Sequence, residues 1–396
     1  NNHGTFRRKS AGFYATDGII IEQSIFRLDA QGCYKLDQLA EHWSSQSDLS
    51  SFTSRRSIRG ILIRWCAKAI KDSKELPCVD FIIERLRKDV NQHTVWVKLG
   101  GLDIEDRVPL GMVELTGISA AEVQKLQNNL PENKLSTKEL KQQWARLAKE
   151  WQGETVAVFS GIGDLLTVQE RAVEHAERAC AMLRMLELGN RSAFQRSYLQ
   201  PLTLGPQLGH RDLLVIKSSG DFERHSEFVN NPPHSMAVTK SAFESLAKNN
   251  ILPRLNELLS MLQPTQFQEH LLAAVLIYSR HRLTSEPIEK LLLVFSAIES
   301  LLLGGDRKAR VKSLVKSRMA AALRLSDANK KDFEDVCNTA YKLRSEFLHH
   351  GISLNDEDSV SSFLRHSWIF FLWVIANHRH WSSVRDFCSA LDAEAR

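Results

Sequence analysis

The stretch YKLRSEFLHHG, Tyr341 to Gly351, sets an arginine, a glutamate and two adjacent histidines on what reads as the last turns of one helix. An arginine stays charged and can grip two oxygens of a phosphate or carboxylate at once. A histidine changes charge near neutrality, so it can take or give a proton. Glu346-x-x-His349 has the i, i+3 spacing found in di-iron helical bundles. A metal centre, a phosphate-handling nucleolytic site and a plain surface helix with cations against its dipole all fit this string. The metal reading needs a second E-x-x-H and two further carboxylates. The C-terminal part has no second copy, so neither a metal nor a cofactor is expected.

The helix that carries these residues should start near Ser326 or Asn329, both good N-caps, and stop before Gly351. Phe333, Val336, Ala340, Leu343 and Phe347 recur at 3,4,3,4 spacing and predict its core face. At ~100° per residue, Tyr341, Arg344, Ser345, Leu348 and His349 fall on a different arc, about 130° from that stripe. The arc is expected to face solvent, a cleft or a partner. His350 points to another side.

The 396 residues are enough for two or three domains. Composition is ordinary for a globular chain, with 43% hydrophobic and 25% charged residues, so no staple is needed to hold a core. With 52 basic against 47 acidic residues the net charge is only +5, which permits a nucleic-acid partner without requiring one. Cys33, Cys66, Cys78, Cys180, Cys337 and Cys388 show no C-x-x-C pair and read as buried free thiols in a reducing compartment. No signal peptide is visible, and the apolar runs LLLVF and IFFLWVIA fall short of the ~20 residues of a bilayer span. A cytoplasmic protein without a membrane partner is the expectation.

Residues 1–80 form a mixed segment, with a strand expected within Gly18–Phe26 and a basic helix over Ser57–Lys74. Residues 81–255 mix strands with helices and are read as a regulatory or sensing domain. TVWVKL, TVAVF and DLLVIK look like strands, and Thr167–Leu188 like a helix. Asn230–Ser235 predicts a loop, and SGIGD (Ser160–Asp164) a turn, since it lacks the remaining residues of a phosphate loop. Near Ile251–Pro264 strand signals stop. Residues 256–396 then show three or four long helical patterns. The fold class is therefore α+β, a mixed α/β N-terminal region followed by an all-α helical bundle.

The pattern Tyr341-x-x-Arg344-Ser345-x-x-x-His349-x-Gly351 resembles the R-x4-6-H signature of HEPN domains, and most closely their ApeA-like branch of bacterial anti-phage defence. The flanks are similar too. An apolar helix with Glu299 embedded in it (Glu289–Gly305) precedes a basic helix (Asp306–Leu325), and an aromatic-rich helix (Ser362–His378) follows the motif. The resemblance covers roughly residues 265 to 385 and implies a metal-independent endoribonuclease, an effector of an abortive-infection or toxin system.

RNA carries its own nucleophile, the 2′-OH, so such a site needs a proton-transfer group and a cation rather than a metal. His349 supplies the first and Arg344 the second, while Ser345 can hold the scissile phosphate or position His349. Glu299, a carboxylate in a Leu-rich run, needs a partner if buried, and Arg344 is the first candidate. Tyr341 and the basic residues Arg310, Lys312 and Lys316 are expected to contact RNA, while a solvated helix face, with Val311, Leu314 and Val315 as its buried stripe, accounts for the basic residues equally well. Arg55, Arg56, Arg59 and Arg64 form a second, weaker basic cluster. One helix offers half a site, so the resemblance implies a homodimer or higher homo-oligomer, with apolar contact expected from Trp368, Phe371 and Trp373. A phage-derived trigger is expected at the N-terminal domain. The alternative is a non-catalytic HEPN module that binds RNA or a partner protein.

Overall fold

The computed structural model describes residues 18–21, 24–27, 30–72, 77–123, 138–187, 197, 199–201, 209–217, 222–229, 236–238, 241, 244, 248, 251–261, 263–304, 311–351 and 356–395. Packing divides the chain into two units. The first comprises 1–95, 160–171 and 215–222, and the second 96–159, 172–214 and 223–396. This division cuts the chain elsewhere than composition does, because helices after residue 251 pack into the same unit as most of the sheet.

In the first unit the expected single strand at Gly18–Phe26 is a hairpin instead. Strands β1 (Gly18–Ile21) and β2 (Ser24–Arg27) pair antiparallel, Ile19 opposite Phe26. Helices α1 (Ala30–Ser44), α2 (Ser47–Ser50), α3 (Arg55–Asp72) and α4 (Cys78–Asp89) follow. Leu36 and Ala40, Ile58, Ile61 and Leu62, and Ile82 and Leu86 stand one turn apart on their helices and close one core. The SGIG residues form the end of a strand, not a turn, and Asp164 caps the helix behind them. Its carboxylate accepts from the Thr167 amide at 3.0 Å and the Thr167 hydroxyl at 2.8 Å. A Cβ on Gly163 would come within 2.9 Å of the Phe52 carbonyl oxygen, so only glycine lets these backbones meet.

The main sheet uses β3 (Asn91–Gly100), β5 (Val108–Leu110), β6 (Val113–Gly117), β7 (Thr155–Gly163), β8 (Gln200–Pro201), β9 (Gly209–Lys217) and β10 (Phe222–Val229). The order is β10-β9-β3-β7-β6-β5, with β8 against β3. β6 pairs antiparallel with β5 and β7. A separate parallel pair joins β4 (Leu102–Ile104) to β11 (Met236–Val238). Val95 to Gly100 are all buried, which is why β3 reads as a continuous rather than an alternating apolar run. Lys98 in that run is neutralised by Glu154 at 2.9 Å. Helix α5 spans Lys138–Trp151 and α6 Leu165–Leu186.

Seven helices follow among the described residues, more than the three or four patterns expected. They are α7 (Ile251–Ser260), α8 (Gln266–Arg280), α9 (Pro287–Leu302), α10 (Val311–Ala322), α11 (Asp327–His350), α12 (Glu357–Asn377) and α13 (Val384–Glu394). Their ends follow local chemistry. Thr265 and Gln268 form a capping box on α8, Pro287 opens α9, and Gly351 at φ 65° closes α11. α9 is the central rod, packed against α8, α10, α11, α12 and α13. It is therefore apolar nearly all round. The sheet meets the helices where the Gly111 amide donates to Asn256 Oδ1 at 2.6 Å. A Cβ on Gly111, whose φ is +66°, would stand 2.5 Å from Leu259 Cβ. The whole is α+β.

Several expectations change. Asn230–Ser235 lie outside the described residues. Cys33, Cys66 and Cys78 are half-buried, unlike Cys180, Cys337 and Cys388. The segment Glu357–His380 is long and apolar enough to cross a membrane by length and composition, although its longest uninterrupted apolar run is short. Its Val360, Phe363, Leu364, Phe370, Phe371, Val374 and Ile375 are buried in the protein.

Candidate active site

The buried line of α11 runs through Phe333, Cys337 and Ala340, and Val336, Leu343 and Phe347 are only half-buried. Continued by four residues, the line reaches Arg344. The predicted arc therefore splits. Tyr341 and Arg344 turn toward α9, while Ser345, Leu348 and His349 are exposed. The inward line tolerates an arginine because Glu299 waits on α9. Arg344 Nη1 donates to Glu299 Oε1 at 2.5 Å and Nη2 to Oε2 at 3.4 Å. Their side chains are 24% and 18% exposed, so the pair is half-open rather than sealed.

Tyr341 donates its hydroxyl to the same Glu299 Oε1 at 3.2 Å. Burial, and next the Glu299 charge, hold its phenol well above the usual tyrosine range. The Phe295 ring supports the group from below, 4.2 Å from the Tyr341 ring and 4.5 Å from Phe363, with the Arg344 guanidinium carbon 5.3 Å away. Arg344 Nε is buried and finds no acceptor among the described residues.

The other expected site residues are not gathered here. His349 is exposed with its ring 6.3 Å from that of His350. Five helical positions separate it from Arg344, about 7.5 Å of rise and about 140° of rotation, so the two diverge on one helix. Glu346 pairs with Lys342 at 3.7 Å, and no group of three His, Cys, Asp or Glu that could hold a metal occurs among the described residues. Lys312 is exposed, and Lys316 lies 3.9 Å from Glu334. Arg310, with Arg307 and Lys308, lies outside the described residues. Arg318 is structural. It grips Asp392 at 2.7 Å and donates to the Leu302 carbonyl at the end of α9. The second basic cluster is neutralised by Arg55–Glu41, Arg56–Glu170, Arg59–Asp37 and Arg64–Asp89 pairs. Trp368 donates Nε1–H to the Met185 carbonyl at 2.6 Å, Phe371 packs on Tyr278, and Trp373 on Trp381. These aromatics serve their own unit, and among the described residues of α11 and α12 the large apolar side chains left outward are Leu348, 55% exposed, and Ile369.

A second charged cluster escaped the sequence reading. Arg184 of α6, Arg282 of the turn after α8, and Lys290 of α9 are completely or almost completely buried. Arg184 donates to Glu177 at 2.7 Å, to the Leu199 carbonyl at 2.6 Å and to Ser279, and Arg282 donates to Glu187 at 3.2 Å. The Ser197 amide donates to the Arg282 carbonyl at 2.6 Å. Burial, reinforced by Arg282, pushes the Lys290 ammonium down to about 8. Burial also pushes His281 down to about 3, against the hydrogen bond of its Nδ1 to the Tyr278 carbonyl. The signal was present, since Arg184 and Lys290 each sit in an apolar run as Glu299 does. The chain matches no protein-family model, no curated protein and no solved structure.

Proposed function

We propose that this protein is a metal-independent endoribonuclease of the HEPN kind, an effector of a defence or toxin system whose site is completed by a second copy of the chain. The observation that supports it best is Arg344, held by Glu299 and Tyr341 in the stretch Tyr341–Gly351 that resembles the family signature. Each Nη carries two hydrogens. One is used on Glu299, and the outer one remains for a phosphate oxygen. In the reaction the 2′-OH attacks phosphorus and gives its proton to a histidine. The P–O5′ bond breaks, the histidinium returns the proton to the 5′-oxygen, and the products are a 2′,3′-cyclic phosphate and a 5′-OH. Arg344 stabilises charge on the phosphorane. Because Arg344 and His349 diverge on one helix, His349 of one copy must meet Arg344 of the other across a C2 axis. Leu348 and Ile369, rather than the aromatics of α12, supply apolar contact.

The test is cleavage of RNA in EDTA by the wild type, Arg344→Ala and His349→Ala. The wild type should cleave, and each variant should lose about 100- to 1,000-fold in kcat. Mixing the two variants should restore activity, because a heterodimer keeps one intact composite site. Cleavage that EDTA abolishes overturns the mechanism. RNA binding without cleavage favours the non-catalytic module.

A further inference from the structure

We infer that Tyr341 and Phe295 are positioning residues that fix the orientation of the Arg344 guanidinium, rather than contacts for RNA. The inference rests on the reading of Arg344 as the phosphate-binding cation. A guanidinium on a flexible stem has two freedoms to lose, swing of the whole group and rotation of its plane. Glu299 alone limits the first. Its two oxygens meet Nη1 and Nη2 unequally, at 2.5 and 3.4 Å, so it grips one corner more than the other. The Tyr341 hydroxyl ties down that same oxygen, Oε1, at 3.2 Å. Oε1 thus accepts from two donors on one helix, three residues apart, and the carboxylate cannot turn without breaking both.

Phe295 limits the second freedom. It lies one helical turn before Glu299 on α9, which places it under the pair. Its ring faces the Arg344 guanidinium carbon at 5.3 Å and is itself wedged between Tyr341 and Phe363, so the platform cannot slide. The buried Nε edge closes the remaining side. Each Nη keeps one hydrogen that Glu299 does not use, and 24% of the side chain stays exposed. A cation held this way meets a phosphorane without first losing side-chain entropy. Tyr341 has neither a free hydroxyl nor a free ring face on the Phe295 side to offer a base.

The experiment reads Arg344 directly and does not depend on cleavage. In full-length protein labelled with 15N-arginine, the Nε–H signal lost in Arg344→Lys identifies Arg344. Its hydrogen exchange is then compared in wild type, Tyr341→Phe and Phe295→Leu. Tyr341→Phe keeps the ring and removes only the hydroxyl. Exchange should quicken about tenfold, and kcat should fall about tenfold with KM within about twofold, as expected when preorganisation rather than binding is lost. Phe295→Leu should move exchange in the same direction and is the second variant if the first does not fold. Exchange as slow as in wild type in either folded variant overturns the inference, as does a loss confined to KM. If exchange quickens while the wild type cleaves no RNA, the positioning stands and the nuclease reading fails.

Discussion

Two charged clusters stand on the same helix, and they are built differently. Lys290 and Glu299 lie nine residues apart on α9, about 13.5 Å along its axis. At the Lys290 end, the cations of three elements are buried and bond a carbonyl oxygen as well as carboxylates, while Glu177 and Glu187 keep about the same exposure as Glu299. At the Glu299 end, one cation meets one carboxylate, both stay partly exposed, and two aromatic rings prop the pair. Charges that are sealed and spend their donors on the protein's own backbone hold architecture. A charge that is equally fixed but keeps an outer edge open is equipped to meet a ligand. The difference separates a structural knot from a candidate site without reference to any relative.

Breaking the sealed cluster should have the largest effect on stability. Glu187→Ala removes the carboxylate that accepts from Nε and Nη2 of the buried Arg282 and should cost about 3–5 kcal/mol in denaturant unfolding. Glu299→Ala, at the half-open end, should cost clearly less. Equal losses would erase the distinction drawn here.

Next in size is an alkaline effect. Lys290 titrates near 8 when folded but at its ordinary 10.5 when unfolded. Between those values the unfolded chain binds more protons, so stability should rise with pH across the window and stay flat below it. The gain is about 3 kcal/mol, at about 1.4 kcal/mol per pH unit. Chemical denaturation at pH 7.5 and 10 checks it, and Lys290→Met should remove the slope.

The acid side shows the same cluster through His281. Its folded value near 3 lies below the ordinary 6.5, so the folded protein keeps the ring neutral while the unfolded chain takes a proton. Stability should decline as pH falls from 6.5 toward 3, about 2 kcal/mol by pH 5. A His281→Gln variant should be less acid-sensitive over that range. The smallest effect belongs to the open end, where His349→Ala should shift stability by less than about 0.5 kcal/mol. A much larger loss would make His349 a structural residue.

The half-open pair was legible in sequence because one carboxylate in a Leu-rich run demands a partner if buried, and Arg344 was the first candidate. The helices themselves were legible from period and caps, as with Thr167–Leu188 and the Gly351 stop. The face assignment failed for a physical reason. Apolar residues mark where a stripe begins, but the inward line drifted from Phe333 through Ala340 to Arg344, since a partnered arginine can occupy an inward position. The sealed cluster left a trace in the apolar run around Arg184, but its partners were illegible, because Arg184 meets Ser279, and Arg282 meets Glu187, across 95 residues. The basic helix shows the same limit. Charge density along the chain does not show that Arg318 points inward to Asp392.

The length of α12 bears on how the chain is made. A segment as apolar as Glu357–His380 would be a candidate for membrane insertion if it left the ribosome with nothing to cover it. The helices that pack along it, α7, α9, α10 and α11, all precede it in the chain. Vectorial synthesis therefore presents α12 to partners that have already emerged, and its apolar side can be shielded as soon as it appears.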